Sequence, residues 1–324
     1  MSSKPDQLSS PEKIKYHAEL LGNRIKKRYA HLSKKFRKQG IECFRLYDWD
    51  IPEIRAVVDW YKEEAVIGEY VRWQTGDDWL PAMAQAVADA LNIPLEKVHQ
   101  RRRQTGSQGK PRYSKIASHG KRFEVQERGL KFWVNLDDFL DTGLFSDHRD
   151  TRVIIHELAA GKNFLNLFSY TGAFSCAAAS GGAKTTTSVD RSETYLKWAN
   201  DNLALNGFSG PNHRLEQSDV FRFLQSAYKK KNQFDLAFVD PPSFFQNEKD
   251  GTSFDVNDDH VMLIQEVLKV MKPGSPVFFS TNHQRFAPKL EDLYARDLKE
   301  ITPKTIPEDY RNQQIHRCWK MIAL

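Results

Sequence analysis

Phe234-Asp235-Leu236-Ala237-Phe238-Val239-Asp240-Pro241-Pro242-Ser243-Phe244 is the stretch whose reading decides this chain. The apolar run Phe234–Val239 reads as a strand that delivers a carboxylate at its end. Pro241 and Pro242 then remove two backbone donors and fix φ, and the Phe244 ring follows at once. The product is a rigid ledge of free carbonyls with a stacking face. It suits a flat, polar heterocycle such as a nucleobase better than it suits a core turn.

Working outward from this strand, helical and extended patterns alternate. Upstream, the spacing predicts a helix over Arg152–Leu158, a strand over Asn163–Phe168, a helix over Phe174–Ser180 and a strand over Thr185–Val189. A helix over Glu193–Asn206 ends at Gly207, and a short strand, Arg214–Gln217, precedes a helix over Val220–Lys230. Downstream, a helix over Val256–Met271 stops at Pro273-Gly274 before a strand at Val277–Ser280. Strands separated by helices of this length predict an α/β fold with a parallel, doubly wound sheet. The end differs. Leu298–Ile301 and Cys318–Ile322 read as strands joined by a loop too short for a crossover helix, so the last strand is expected to be antiparallel.

In such a sheet the ligand lies beyond the carboxyl ends of the strands. The first strand runs into Ser169-Tyr170-Thr171-Gly172, where Gly172 permits a tight turn into the next helix. The fingerprint G-x-G-x-x-G is absent, so no diphosphate cradle is expected. Asp190 ends the second strand, 18 residues after Gly172, where a carboxylate can accept both ribose hydroxyls or simply cap the next helix. Asp219 follows the third strand and would either hold the exocyclic amine of adenine or cap the helix from Val220. Asp240 follows the fourth. Three acids in succession behind a glycine loop read as an adenosine pocket, and an adenosine cofactor without a diphosphate cradle points to S-adenosyl-L-methionine.

The N-terminal half carries a different signal. Asn23 to Gly40 holds eight Lys/Arg and no acid: Arg24, Lys26, Lys27, Arg28, Lys34, Lys35, Arg37 and Lys38. Lys97 to Arg122 holds nine more, among them Arg101, Arg102, Arg103, Lys110 and Arg112, again with no acid. Against a net charge of only +6, two unbalanced blocks in one half suit a polyanion, and nucleic acid is the expected partner. The first block falls on a long helix, Ile14 to about Gln39, stopped by Gly40. Short strands are expected at Ala56–Tyr61 and Ala65–Trp73, a helix at Pro81–Leu91, a strand at Lys97–Arg103, and a hairpin of Phe123–Gln126 with Leu130–Asn135. Three domains are expected: a tail and basic helix over 1–42, a small α+β domain over 43–136, and the alternating domain over 137–324. Cys43, Cys176 and Cys318 lie far apart without metal-ligand spacing, so neither a metal nor a disulfide framework is expected. A cytoplasmic protein without a membrane span or signal peptide is the expectation.

Asn166-Leu167-Phe168-Ser169-Tyr170-Thr171-Gly172, Ser188-Val189-Asp190, Ser218-Asp219 and Asp240–Phe244 resemble motifs of S-adenosylmethionine-dependent rRNA methyltransferases. Three further stretches, Gly40–Asp48, Asp141–Arg149 and Arg311–Trp319, resemble the RlmK type, which methylates N7 of a guanine in 23S rRNA. The similarity runs from about Gly22 to the end. It implies a Rossmann-like catalytic domain, ending in an antiparallel strand, behind a small RNA-recognition domain and a basic N-terminal helix. The chain is expected to stand alone, without the guanine-N2 half present in the fused RlmKL protein. Its partner would be 23S rRNA or a large-subunit assembly intermediate.

The resemblance also implies roles. Asp147 and Arg149 would sit at the methionine end of the cofactor. Asn166 and Phe168 to Gly172 would wrap it, Asp190 with Arg191 and Ser192 would hold the ribose, and Ser218, Asp219 and Val220 the adenine. Asp240, Pro241, Pro242 and Phe244 would present the base. Phe245-Gln246-Asn247 departs from the Ser-rich continuation expected there. Guanine N7 has a lone pair and no proton, so attack needs no general base and catalysis would rest on in-line orientation. A cytosine-C5 enzyme needs a cysteine nucleophile, and neither Ser243-Phe244 nor Phe279-Ser280-Thr281-Asn282 holds one. Methylation of an exocyclic amine, and a non-catalytic assembly factor, are the other readings.

Overall fold

The computed structural model describes residues 10–71, 75–103, 120–246 and 251–324. The chain forms two units. The first comprises Met1–Gly129, Val134–Thr142 and Asp309–Arg311, and the second Leu130–Trp133, Gly143–Glu308 and Asn312–Leu324.

In the first unit, helix α1 (Pro11–Lys38) opens where Ser10 accepts a hydrogen bond from Lys13 N, with Pro11 in the first turn, where its missing N–H costs nothing. Leu21, Ile25, Leu32 and Phe36, spaced four, seven and four apart, are buried, which is the period of one helix face. They share a core with Met83, Ala84 and Val87 of α2 (Trp79–Leu91) and with strands β1 (Cys43–Asp48), β2 (Ala56–Tyr61), β3 (Glu64–Tyr70) and β4 (Val98–Arg103). The sheet order is β1-β2-β3-β4, antiparallel except for the β3/β4 pair. Strand β1 was not anticipated. Arg45 interrupts its apolar pattern, and the structure buries that guanidinium against Asp59 and Asp48 at 2.8 and 3.0 Å. Strand β5 (Phe123–Glu127) also belongs to this unit.

The second unit takes most of β6 (Leu130–Val134) and then alternates: α3 (Arg149–Leu158), β7 (Asn163–Leu167), α4 (Ala173–Ser180), β8 (Thr185–Asp190), α5 (Glu193–Leu205), β9 (His213–Gln217), α6 (Val220–Lys229) and β10 (Leu236–Val239). After the ledge come β11 (Phe244–Gln246), β12 (Ser253–Asp255), α7 (Val256–Leu268), β13 (Pro276–Thr281), β14 (Ala295–Glu300) and β15 (Arg317–Ala323). Seven strands form one sheet, β14-β15-β13-β10-β7-β8-β9. Strands β13, β10, β7, β8 and β9 pair in parallel, whereas β15 is antiparallel to both β13 and β14. The expected antiparallel end is thus present, with the last strand inserted between its two predecessors. The order reverses between β7 and β10, and the loops after these two strands diverge there to leave a crevice. Beneath it lie Leu165, Leu167, Ala237, Val239, Val277 and Phe279, all buried.

Other departures from the sequence reading are local, among them β14, which covers Ala295–Glu300 rather than Leu298–Ile301. The hairpin of β11 with β12 was not foreseen, because three-residue strands carry too little periodicity to register. Helix α7 ends at Leu268 rather than Met271; Met271 instead forms an isolated bridge with Phe234. Among the described residues no helix is long and apolar enough to cross a membrane.

Candidate active site

The turn from β7 into α4 is wound in an uncommon way. Phe168, Tyr170 and Gly172 have φ of 56°, 48° and 75°. Left-handed conformations at non-glycine residues cost roughly 1–3 kcal/mol each and persist only where neighbours hold them. Here Asp190 Oδ2 accepts from Tyr170 N at 2.9 Å. Thr171 is pinned at both ends: its hydroxyl donates to Gly143 O at 2.6 Å and its carbonyl accepts from Asn202 Nδ2 at 2.8 Å. Gly172 is required twice over, since a Cβ there would lie 2.7 Å from Ala199 Cβ in addition to the positive φ. The Ser169 hydroxyl is buried, with no hydrogen-bond partner among the described residues.

Asp190 places its other oxygen, Oδ1, 2.9 Å from Ser192 N. One carboxylate therefore clamps the loops after both β7 and β8. Burial raises its pKa, and the surrounding backbone N–H groups oppose the shift. Ser192 caps α5 by accepting from Tyr195 N. Asp219 caps α6 by accepting from Arg222 N at 3.1 Å, and its second oxygen lies 4.0 Å from Arg191 Nε. The Arg191 guanidinium lies over the Phe245 ring, 4.9 Å from its centroid, so it spans from Asp219 to the β11–β12 hairpin. Ser218 N donates to Asp190 O at 3.1 Å. Val220 and Asn166 face inward. Val220 is part of the core, and Asn166 donates to Ser175 Oγ at 3.0 Å within a polar seam that continues to Ser188.

Across the crevice, the ledge leaves β10 with Pro241 buried and Phe244 58% exposed, its ring open for stacking. The Asp240 side chain is 28% exposed. Burial, reinforced by Asp147, raises its pKa to about 7, while His316 and Ser280 pull the other way. His148 Nε2 lies 3.5 Å from Asp240 Oδ2 and 3.8 Å from Asp147 Oδ2. Its ring stacks on His316 with centroids 4.0 Å apart and planes 13° from parallel. Burial and the neighbouring His316 push His148 well below the ordinary imidazole range, which keeps it neutral.

His316 Nδ1 lies 2.9 Å from Asp147 Oδ2 and its Nε2 3.0 Å from Thr305 Oγ1. The Thr305 hydroxyl in turn donates to Thr302 O. Asp147, His148 and His316 hold three ligand-type atoms within 4.8 Å. Stacked rings, however, aim their in-plane lone pairs side by side rather than at one point, so the cluster is built as a hydrogen-bonded network and not as an ion cage. Arg149 opens α3 and is 1% exposed.

His148 and His316 are the functional candidates that sequence reasoning passed over. Both lie inside quoted motif stretches, yet 168 positions separate them, and a lone histidine carries no local signal. Asn282 directly follows β13, in a stretch whose only sequence signal is the absence of a cysteine.

In the first unit, the structure separates the basic positions into two groups. Lys26, Lys27, Lys34 and Lys35 are exposed on α1. Arg24 pairs with Asp50 and Arg28 donates to Asp309 O at 2.9 Å. Arg101 is buried and donates to Gln100 O; Arg102 pairs with Asp77 at 2.6 Å. For Arg103 only the backbone is described, as the last residue of β4, and Lys110 and Arg112 lie outside the described residues.

A family model described as S-adenosylmethionine-dependent methyltransferase matches residues 85–302. Among solved structures, SMU.776, described as a methyltransferase and crystallised with SAH, superposes with a TM-score of 0.74 at 24% identity, over 95% of this chain and 81% of that one. A SAM-dependent methyltransferase from Streptococcus mutans gives 0.72 at 22% identity, over 94% and 81%. The complex of aTrm5 with tRNALeu gives 0.52 at 12% identity, over 79% and 68%.

Proposed function

We propose that this chain, which belongs to the S-adenosylmethionine-dependent methyltransferase family, methylates N7 of a guanine in 23S rRNA as an RlmK-type enzyme. Its methyl donor is S-adenosylmethionine. The observation that carries the reading is the pairing of an exposed stacking ring, Phe244, with strand-end acids that converge on one crevice.

The residues present fit the cofactor. The β7–α4 turn, with its buried and unpartnered Ser169 hydroxyl, would wrap it. Asp190 would accept the ribose hydroxyls on the lone pairs left beside its two backbone donors. Asp219 would meet the adenine, and Asp147 with Arg149 the methionine end, where a guanidinium suits a carboxylate. When bound, the cofactor supplies an electrophilic methyl group on a sulfonium. The protein then orients the nucleophile. Phe244 stacks on a base drawn out of the RNA, and Asp240 in its ionised form stabilises the positive charge that N7 acquires. No proton moves, so the site needs no base.

Covalent chemistry at cytosine C5 is not served. Cys318 stands opposite Ser280 in the sheet, but it is fully buried and its thiol is pushed up by burial, so no reactive thiolate faces the crevice. An exocyclic amine is the second reading, because Asp240 and the ledge carbonyls would accept its N–H groups. The RNA-bound aTrm5, of like fold, supports an RNA substrate. The exposed lysines of α1 support the first unit as the RNA-recognition module, in the cytoplasm where rRNA matures.

Mapping decides between the readings. In 23S rRNA from cells with and without this gene, borohydride–aniline cleavage should show one N7-methylguanine that disappears on deletion and returns on complementation. A lost N2- or N6-methyl group instead would favour the amine reading.

A further inference from the structure

Guanine presented by N7 offers acceptors: N7 itself and the neighbouring O6. The ledge that would receive it also offers acceptors. Pro241 and Pro242 carry no N–H, and the Asp240 carboxylate and ledge carbonyls accept. A donor for O6 must come from elsewhere.

Strands β10 and β13 are parallel neighbours, with Val239 opposite Phe279. The ledge and the turn after Thr281 therefore leave the same sheet edge side by side. In that turn the Ser243 hydroxyl donates to Asn282 Oδ1 at 2.9 Å. The turn is itself braced: His283 N donates to Thr281 Oγ1 at 3.2 Å, and Gln284 Nε2 donates to Asn282 O at 3.3 Å. With Oδ1 held by Ser243, the geminal NH2 of Asn282 is turned away from it. Asn282 is exposed, and among the described residues no acceptor pairs with that nitrogen.

We infer that Asn282 selects the base: its side-chain N–H donates to O6 of the guanine whose N7 receives the methyl group. This rests on the guanine-N7 reading above. Adenine carries an amino group at the corresponding position, so Asn282 would face it donor against donor. Ser243 acts through Asn282, as the residue that fixes which end of the amide faces the base.

The test pairs a protein change with a base change. One substrate is a 23S rRNA fragment containing the mapped guanine; the other carries 2-aminopurine at that one position, which keeps N7 and the 2-amino group but lacks O6. The native enzyme should lose about tenfold or more in kcat/KM on 2-aminopurine. Asn282→Ala should lose a similar factor on guanine and distinguish the two substrates little. Asn282→Asp, which keeps an acceptor for Ser243 but sets a carboxylate against O6, should be slower on guanine than Asn282→Ala. Cofactor affinity measured by calorimetry should be unchanged in both variants. Undiminished discrimination by Asn282→Ala, or an equal loss on both substrates, would overturn the inference. Absence of N7-methylguanine from the native enzyme's own product would instead overturn the underlying reading.

Discussion

Asp190 and Asp240 stand at equivalent places, each at the carboxyl end of a parallel strand in one sheet, yet their surroundings differ. Asp190 accepts from two backbone N–H groups, one on each oxygen, at 2.9 Å. These donors partly offset the burial that raises its pKa. Asp240 lies beside a neutral imidazole and a second carboxylate, and burial, reinforced by that carboxylate, drives it to about 7. The first environment suits the proposed role of a fixed hydrogen-bond acceptor for the cofactor. The second suits a group whose charge matters at the moment of transfer. The contrast teaches that strand-end position identifies a candidate acid, while the donors around it decide its work.

The largest test of the contrast removes the first acid. Asp190→Ala should weaken S-adenosylmethionine binding by about 100-fold or more, since two backbone donors lose their acceptor together with the ribose. RNA affinity should hardly change; titration calorimetry and filter binding measure the two. Normal cofactor affinity would dissolve the distinction between the acids.

Asp240→Asn comes next. It should lower kcat by about 10- to 100-fold through loss of a charge at the developing cation, with cofactor affinity preserved. Below about pH 7 the native carboxyl holds its proton, so the native rate should fall there and level off above. The variant's rate should be flat across that range. Stability runs the opposite way. A carboxyl whose pKa is raised on folding makes the native protein lose stability between the unfolded value and about 7. The stability advantage of Asp240→Asn should therefore grow over that window and stay constant above it.

A smaller effect sharpens the comparison from the loop that Asp190 clamps. Gly172→Ala should destabilise the protein by about 1–3 kcal/mol in urea unfolding, because the new Cβ meets Ala199 and the φ of 75° is unfavourable for alanine. The acid limb near pH 7 should remain. The smallest change touches neither acid. Lys34→Gln with Lys35→Gln should reduce the salt slope of RNA binding by about 1.4–1.8, whereas Arg102→Gln should leave it nearly unchanged because Asp77 already holds that guanidinium.

Much of the second unit was legible. Strands β7, β8, β9 and β10 alternate with helices of ordinary length, and the ends of these four carried their glycine or acid in a recognisable place. The first unit was less legible, because β1 places Arg45 in the protein interior and so breaks the apolar pattern that marks a strand. The basic blocks misled in part for the same reason. A run such as Arg101-Arg102-Arg103 records charge, but Arg101 is buried and Arg102 is paired, and neither fact has a local signature.

The amino-acid sequence by itself determined the alternation, the glycine turn at Gly172, the three strand-end acids and the proline ledge, because each follows from backbone preference within a few residues. Tertiary structure alone decided what the acids meet. Asp147 reaches His316 across 169 positions, His148 stacks on the same ring, and Ser243 turns Asn282. Such contacts set burial, hydrogen-bond supply and thereby charge state, and they depend on which strands the sheet makes neighbours rather than on any residue's own neighbours in the chain.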